Sequence, residues 1–471
     1  MSKSLKIVLL GVSGFVALVA LTPVVLMLFV DTNAYKSRLE ATISGALGMP
    51  VRVDGRVGIG FFPGLRVTLD DLHIRNPGGA VASAKEARLG IDLLPLLRKE
   101  VRIRTIILRH PKISVERGQW SKLNVGRSGR LHALDLPQLS LAHGIFRYED
   151  KQSGEEFVAS DCSLDVHRLR RADGQSTDVM KTVSFTAELA CKEAWRNDFA
   201  ISDLKLSTKG EKGVFNLKPV TMRLFGAQGS GSIQADFSGG TPRYHVRYSL
   251  PQFRIEEFFK TMSSQKVAEG PMDFSANLSM QGKTVKDMRH TAKGQLSLHG
   301  EHLTVNGIDL DQTFSRFESS QNFNLVDVAA FFIVGPVGVM VTKGYDFASI
   351  FQGSEGQSTI RKLVSNWQVK RGVAQAQDVA MATDQNRIAL QGGLDFVNDR
   401  FDDVTVALID AHGCVEVKQT IHGSFQKPLV EKPSILKSLT GPALELLQRG
   451  RDLLSGGECD VFYAGSVASP K

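Results

Sequence analysis

The stretch Leu65-Arg-Val-Thr-Leu-Asp-Asp-Leu-His-Ile74 decides how the chain is read. Leu65, Val67 and Leu69 are spaced by two, and Leu72 and Ile74 resume that spacing one residue out of phase. A period of two places alternate side chains on one face of a β-strand. A slip at Asp70-Asp71 is the mark of a β-bulge, which inserts one residue and lets the same face continue. The segment predicts a strand bent at that point, with an aliphatic side turned inward.

The alternation returns along the chain in Val51 and Val53, in Tyr244 to Leu250, in Leu296 and Leu298, in Leu303 and Val305, in Ile388 and Leu390, and in Leu394 and Phe396. Gly239-Gly240, Gly300, Gly307 and Gly392-Gly393 punctuate it and are read as short connections, so about twenty strands form an antiparallel meander. A sheet of that many strands is expected to be long, twisted and curled. The fold class is therefore mostly β, with few helices. Asp31 to Asn33 cap a short helix whose Tyr35, Leu39, Ile43 and Leu47 share a face. Ile91 to Lys99 turns around Pro95, Ile255 to Met262 follows Pro251, and Ser434 to Leu454 has apolar residues at helical spacing, interrupted by Gly441-Pro442. Val328 to Val341 is uncharged, centred on Gly335-Pro336 and too short to span a bilayer, which leaves a core segment, an inter-subunit contact or a membrane-dipping loop.

Ahead of this body, Ile7 to Val30 carries no charged side chain. A helix of that length reaches about 36 Å against about 30 Å of hydrocarbon. Lys3 and Lys6 on its N-terminal flank predict an N-in, C-out single pass, with residues 1–30 as cytoplasmic flank and anchor. A signal peptide cut near Ala17 or Ala20 is the alternative, although the apolar run continues well past the usual length of such a core. The remaining residues carry a net charge of +6 once Lys3 and Lys6 are set aside, scattered among 49 acids. The densest basic segment, Arg98 to Arg109, alternates with aliphatics as a half-exposed strand does, so no nucleic-acid partner is expected.

Four cysteines, Cys162, Cys191, Cys414 and Cys459, all follow the anchor. An even count in an exported chain points to disulfides. Asp161 to Arg168 and Val183 to Cys191 both alternate and are joined by a polar stretch containing Asp173-Gly174, so they form a hairpin. If Cys162 faces Cys191, then Leu164 faces Leu189, Val166 faces Ala187, and all six share one face. Cys414 and Cys459 pair by elimination. Four buried thiols are the alternative, and no CxxC spacing supports a metal site.

At this point the residues resemble a known family. Gly48-Met-Pro-Val-Arg-Val-Asp-Gly-Arg-Val57 and Phe62-Pro-Gly-Leu-Arg-Val-Thr-Leu-Asp-Asp-Leu-His-Ile-Arg-Asn-Pro77 are similar to the N-terminal signature of AsmA proteins. Leu94-Pro-Leu-Leu97, Val101-Arg-Ile103 and His110-Pro-Lys-Ile-Ser-Val-Glu-Arg117 extend the likeness. Gly294-Gln-Leu-Ser-Leu298 and Val305-Asn-Gly-Ile-Asp-Leu310 resemble the family's C-terminal region. The resemblance implies an N-terminal β region over 31–290 and a C-terminal β region over 291–425, and the helical spacing beyond it leaves a helical segment and tail over 426–471. It implies an inner-membrane, periplasmic protein of outer-membrane biogenesis, with the inner membrane and a phospholipid as partners and an envelope protein or a second copy as further candidates. Leu164, Leu189, Leu298, Leu390 and Phe396 are the expected groove-lining residues.

Motifs for chemistry are absent. Gly229-Ser-Gly-Ser232 lacks the nucleophile spacing, His299 and His302 lack the HExxH arrangement, and no phosphate-cradling glycine loop is present. No catalytic, cofactor-binding or metal residue is expected. Two functions fit the sequence: a protein that binds or moves phospholipid along an apolar β groove, or a non-catalytic scaffold that regulates outer-membrane protein assembly.

Overall fold

A computed structural model of the chain describes residues 50–60, 64–75, 81–92, 102–116, 135–151, 154–171, 178–196, 199–261, 267–314, 356–435 and 461–470, with Lys36, Ser37, Glu40, Ala41, Ser44, Pro95 and Cys459. The expected anchor Ile7 to Val30 and the segment Val328 to Val341 lie outside these residues. Among the described residues no helix is long and apolar enough to cross a membrane. The chain divides into two compact units, Met1–Phe215 and Asn216–Lys471.

The first unit contains β1 (Val51–Val53), β2 (Val57–Gly60), β3 (Leu65–Arg75), β4 (Val81–Ile91), β5 (Ile103–Arg109), β6 (Lys112–Glu116), β7 (Asp135–Asp150), β8 (Glu155–Arg171), α1 (Val179–Thr182), β9 (Val183–Arg196) and β10 (Phe199–Glu211). β1 and β2 pair with one side of β3, and β4 with the other, all antiparallel. β5 and β6 both pair antiparallel with β4 and parallel with β7. From β7 to β10 the strands form an antiparallel meander.

The phase slip read at Asp70-Asp71 is present, and β4 keeps one register with β3 across it. Asp70 pairs with Glu86 and Leu72 with Ala84, while Asp71 between them takes a left-handed φ of 51°. Leu69 and Leu72 are both buried in one cluster with Val53 and Val67, so the slip keeps the aliphatic face continuous. The N-terminal helix contributes in a way the apolar pattern did not show. Lys36, Glu40 and Ser44 are helical and one turn apart. Glu40 Oε1 accepts from Val53 N at 2.7 Å, Ser44 Oγ from Val51 N at 2.8 Å, and Lys36 Nζ donates to Gly55 O at 3.2 Å. Glu40 and Ser44 thus satisfy edge N–H groups of β1 that would otherwise invite another strand, and Lys36 satisfies the Gly55 carbonyl just beyond it. Tyr35, Leu39, Ile43 and Leu47 lie outside the described residues.

β11 (Val214–Leu224) spans the division. The second unit continues with β12 (Ala227–Asp236), β13 (Arg243–Arg254), α2 (Ile255–Phe259), β14 (Ala268–Glu269), β15 (Pro271–Gln281), α3 (Val285–Thr291), β16 (Lys293–Asn306), β17 (Gln357–Lys370), β18 (Val373–Ala382), β19 (Arg387–Asp395), β20 (Arg400–Ile409), β21 (Val415–Ser424), β22 (Lys427–Val430) and β23 (Ser434–Ile435). β12 pairs with β13 and β13 with β15, and from β15 to β21 each strand pairs with the next, all antiparallel. β14 pairs with β16, and β22 and β23 pair with β21.

Three expectations change here. Gly300 is not a connection: it lies inside β16, whose phase slips at His302, φ 54°. Gly392-Gly393 likewise lies inside β19, opposite the bulged Asp403 of β20. Ser434 and Ile435, placed at the start of a helix by their spacing, form β23. In each case pairing with a neighbouring strand overrides the local pattern.

Candidate functional site

Across the strands of the first unit, the register assembles one line of side chains. Leu69 of β3 faces Ala87 of β4, which faces Leu108 of β5; Leu108 faces Leu141 of β7. Leu141 faces Leu164 of β8, Leu164 faces Leu189 of β9, and Leu189 faces Leu206 of β10. A second row alongside it runs Val67, Leu89, Ile106, Leu139, Val166 and Ala187. Directly opposed side chains on one face are in contact range. The two rows therefore make an unbroken aliphatic band. Leu69, Ala87 and Leu141 are buried, whereas Leu108, Leu164, Leu189 and Leu206 are half-buried and keep part of their surface accessible.

Just beyond the band, successive strands slip phase at one level. Asp71, His143, Asp161 and Asp203 have φ of 51°, 56°, 50° and 52°, and all four side chains are exposed. Asp and His are among the few non-glycine residues that tolerate this backbone region. His143 Nδ1 lies 2.7 Å from Asp161 Oδ1, and His110, at the corner between β5 and β6, stacks on His143 at 5.3 Å. After the slip, Phe146, Ala159 and Ala194 return to the same face and cluster with Cys162, Cys191, Leu189 and Leu204. Such bulges bend strands and raise their twist.

The pairing Cys162–Cys191 is formed, and its register is the one derived from the aliphatics, with Leu164 opposite Leu189 and Val166 opposite Ala187. The second disulfide, Cys414–Cys459, is also formed. A family model, that of the AsmA family, matches residues 1–189 and again residues 175–378. The chain belongs to the AsmA family. Comparison with curated proteins found no match.

The second unit of this AsmA family chain has its own apolar face. Leu250, Phe274 and Leu298 form a buried row across β13, β15 and β16. It adjoins Phe253 and α2, where Phe225 packs edge-on against Phe258 at 5.4 Å. The next rows, Tyr248, Ala276 and Leu296, then Val246 and Leu278, are half-buried. Tyr248 lies over Gly229 and Gly231 of β12, where a Cβ would collide with its ring or hydroxyl. Its hydroxyl has no hydrogen-bond partner among the described residues, and burial pushes its pKa up to about 12.

Toward the C-terminus this sheet is closed on both faces. Ile388, Ala389 and Leu390 are 0%, 0% and 3% exposed. Ala389 alternates with Leu390 and so lies on the opposite face of β19. There the tail covers it: Tyr463 and Val467 pack on Val364, Ala380, Ala382, Ala389, Ala407 and Ile409. Tyr463 donates its hydroxyl to Asp378 at 2.5 Å and accepts from Val467 N at 3.0 Å. Arg387 donates to the carbonyls of Val467 and Asp410 at 3.0 and 2.6 Å. Small residues on the sheet leave the room that Tyr463 fills, and Cys414–Cys459 tethers the tail nearby.

Of the residues named from sequence as groove-lining, Leu164 and Leu189 sit together in the band. Leu298 and Leu390 are in closed rows of the second unit, and Phe396 is half-buried beside Phe425 at 5.9 Å. Leu69, Leu108, Leu141 and Leu206 belong with Leu164 and were not singled out, because alternation shows a face but not which strand lies beside it. Among the described residues no group of three or more His, Cys, Asp or Glu is placed to hold a metal.

Proposed function

We propose that this AsmA family protein is a non-catalytic, inner-membrane-anchored component of cell-envelope biogenesis that binds phospholipid acyl chains along the aliphatic band of its first unit. The carrying observation is the continuity of the band from Leu69 to Leu206, with Leu108, Leu164, Leu189 and Leu206 half-buried. An acyl chain laid across the strands gains about 0.8 kcal/mol for each CH₂ removed from water. Two disulfides suit an oxidising compartment such as the periplasm.

Site-specific photocrosslinking in intact cells tests this reading, with probes at Leu164 and Leu189 and at their outward neighbours Asp165 and Glu188. Phospholipid adducts confined to the two leucines support it. Intramolecular adducts at the leucines with protein adducts at Asp165 and Glu188 would replace it with the scaffold reading. That second reading draws on the sheet at Ile388–Leu390, which is filled on both sides by the protein itself.

A further inference from the structure

The polar face of the second unit carries two opposed cations with no counterion among the described residues. Lys293 of β16 stands directly across from Lys370 of β17, on the side of the sheet away from Leu296 and Leu298. Both are exposed, and neither has an ion-pair partner among the described residues. Like charges directly opposite on neighbouring strands destabilise the pair. On its other side Lys293 faces Ser279, whose hydroxyl lies 2.8 Å from His245 Nδ1. His245 Nε2 is buried with no hydrogen-bond partner among the described residues. A buried polar atom in that condition calls for an explanation.

These groups share a recess of about 540 Å³, lined by His245, Asn277, Ser279, Lys293, Gln368 and Lys370 among others. Lys370 also borders a second recess of about 560 Å³ that adds His290 and Arg371. The acids of that second recess are engaged elsewhere. Asp395 accepts from Val397 N and from Asn398, with Arg400 at 3.4 Å, and Asp402 accepts from Gln375 with Arg400 at 4.0 Å. Arg400 is shared by both carboxylates, whereas the first recess has Lys293 and Lys370 and no acidic residue among the described residues of its lining.

We infer that a phosphate-class anion seats between Lys293 and Lys370, with the amide of Asn277, the Ser279 hydroxyl and the imidazole of His245 around it; the Gln368 amide is engaged with Gly294 O and Gln295 beside the site. A multiply charged oxyanion turns the repelling pair into two charge-assisted contacts. Ammonium groups suit it as compact point charges, and the neutral donors give it direction. The anion is a lipid headgroup phosphate or inorganic phosphate. This site is on the polar face of the other unit and does not depend on the band accepting acyl chains.

The test is titration calorimetry on the full chain in detergent with inorganic phosphate, dihexanoyl phosphatidic acid and dihexanoyl phosphatidylcholine, repeated on Lys293→Gln/Lys370→Gln and on Lys370→Glu. Saturable binding of phosphate or phosphatidic acid, weakened about tenfold or more in both variants, is expected. Binding of phosphate identifies the free ion as sufficient, and binding of phosphatidic acid alone identifies the headgroup. Lys370→Glu supplies Lys293 with a partner, so its thermal midpoint should equal or exceed the parent's while binding is lost. Absence of saturable millimolar binding, equal affinity in parent and variants, or phosphatidylcholine binding as well as phosphatidic acid would each overturn the site.

Discussion

Leu164 of β8 and Leu189 of β9 face each other in the band, and the disulfide Cys162–Cys191 closes the next pair on the same face. The two strands keep one register through the bulge at Asp161, so the covalent link and the aliphatic contact hold the same alignment. Two of the accessible residues of the band are thus aligned by a covalent link as well as by backbone pairing.

Leu189→Asp should abolish lipid capture at this position while leaving a folded protein. Because Leu189 is only half-buried, the cost in stability is about 1–2 kcal/mol. Photocrosslinking at Leu164 in that background and urea unfolding separate the two effects.

Removing both Cys162 and Cys191 by alanine substitution should destabilise the first unit by about 3–4 kcal/mol in the chain-entropy description. The sequence separation of 29 residues sets that scale. Denaturant unfolding of the parent with and without reductant, beside the variant, checks it: reductant should shift the parent strongly and the variant less.

Asp71 holds φ 51°. Asp71→Val places a β-branched residue in that backbone region and should cost about 1–2 kcal/mol, whereas Asp71→Gly should be neutral or slightly stabilising. Thermal unfolding of the pair distinguishes a required bulge from an incidental one, since equal midpoints would remove the requirement.

Burial opposes ionisation of Asp395, yet hydrogen bonds from Asn398 and from the Val397 and Asn398 backbone, with Arg400 nearby, hold its pKa below the ordinary 3.8. A depressed carboxylate contributes stability above its unfolded value and loses it as pH falls through the folded value. Asp395→Asn should therefore be less stable than the parent at neutral pH, and the two unfolding midpoints should converge as pH drops below about 4. Parallel curves across that range would refute the assignment.

Much of this arrangement was legible from sequence because phase and register are both readable. The slip at Asp70-Asp71 and the alignment of Cys162 with Cys191 each follow from where aliphatics fall in a period of two. The slip in β16 and the bulge of β20 opposite β19 are hidden in the sequence, because glycine at 300 and at 392–393 is the usual mark of a connection. There the glycines mark close approach within the sheet: a Cβ at Gly300 would sit 2.9 Å from Leu303. The polar stripe Lys36, Glu40 and Ser44 and the tail around Tyr463 were not legible. The first caps a strand edge through side chains that look solvent-facing, and the second has no periodicity and is held by apolar packing, a disulfide and hydrogen bonds to residues distant in sequence.

The bulges at Asp71, His143, Asp161 and Asp203 have an evolutionary consequence. A strand added at the edge joins both halves of the sheet face only if it carries its own extra residue at the same level. A hairpin with a slip in each arm would lengthen the body while preserving the aliphatic line. The unit of growth for such a protein is therefore the strand pair, and insertions that omit the extra residue would turn polar side chains into the band and be eliminated.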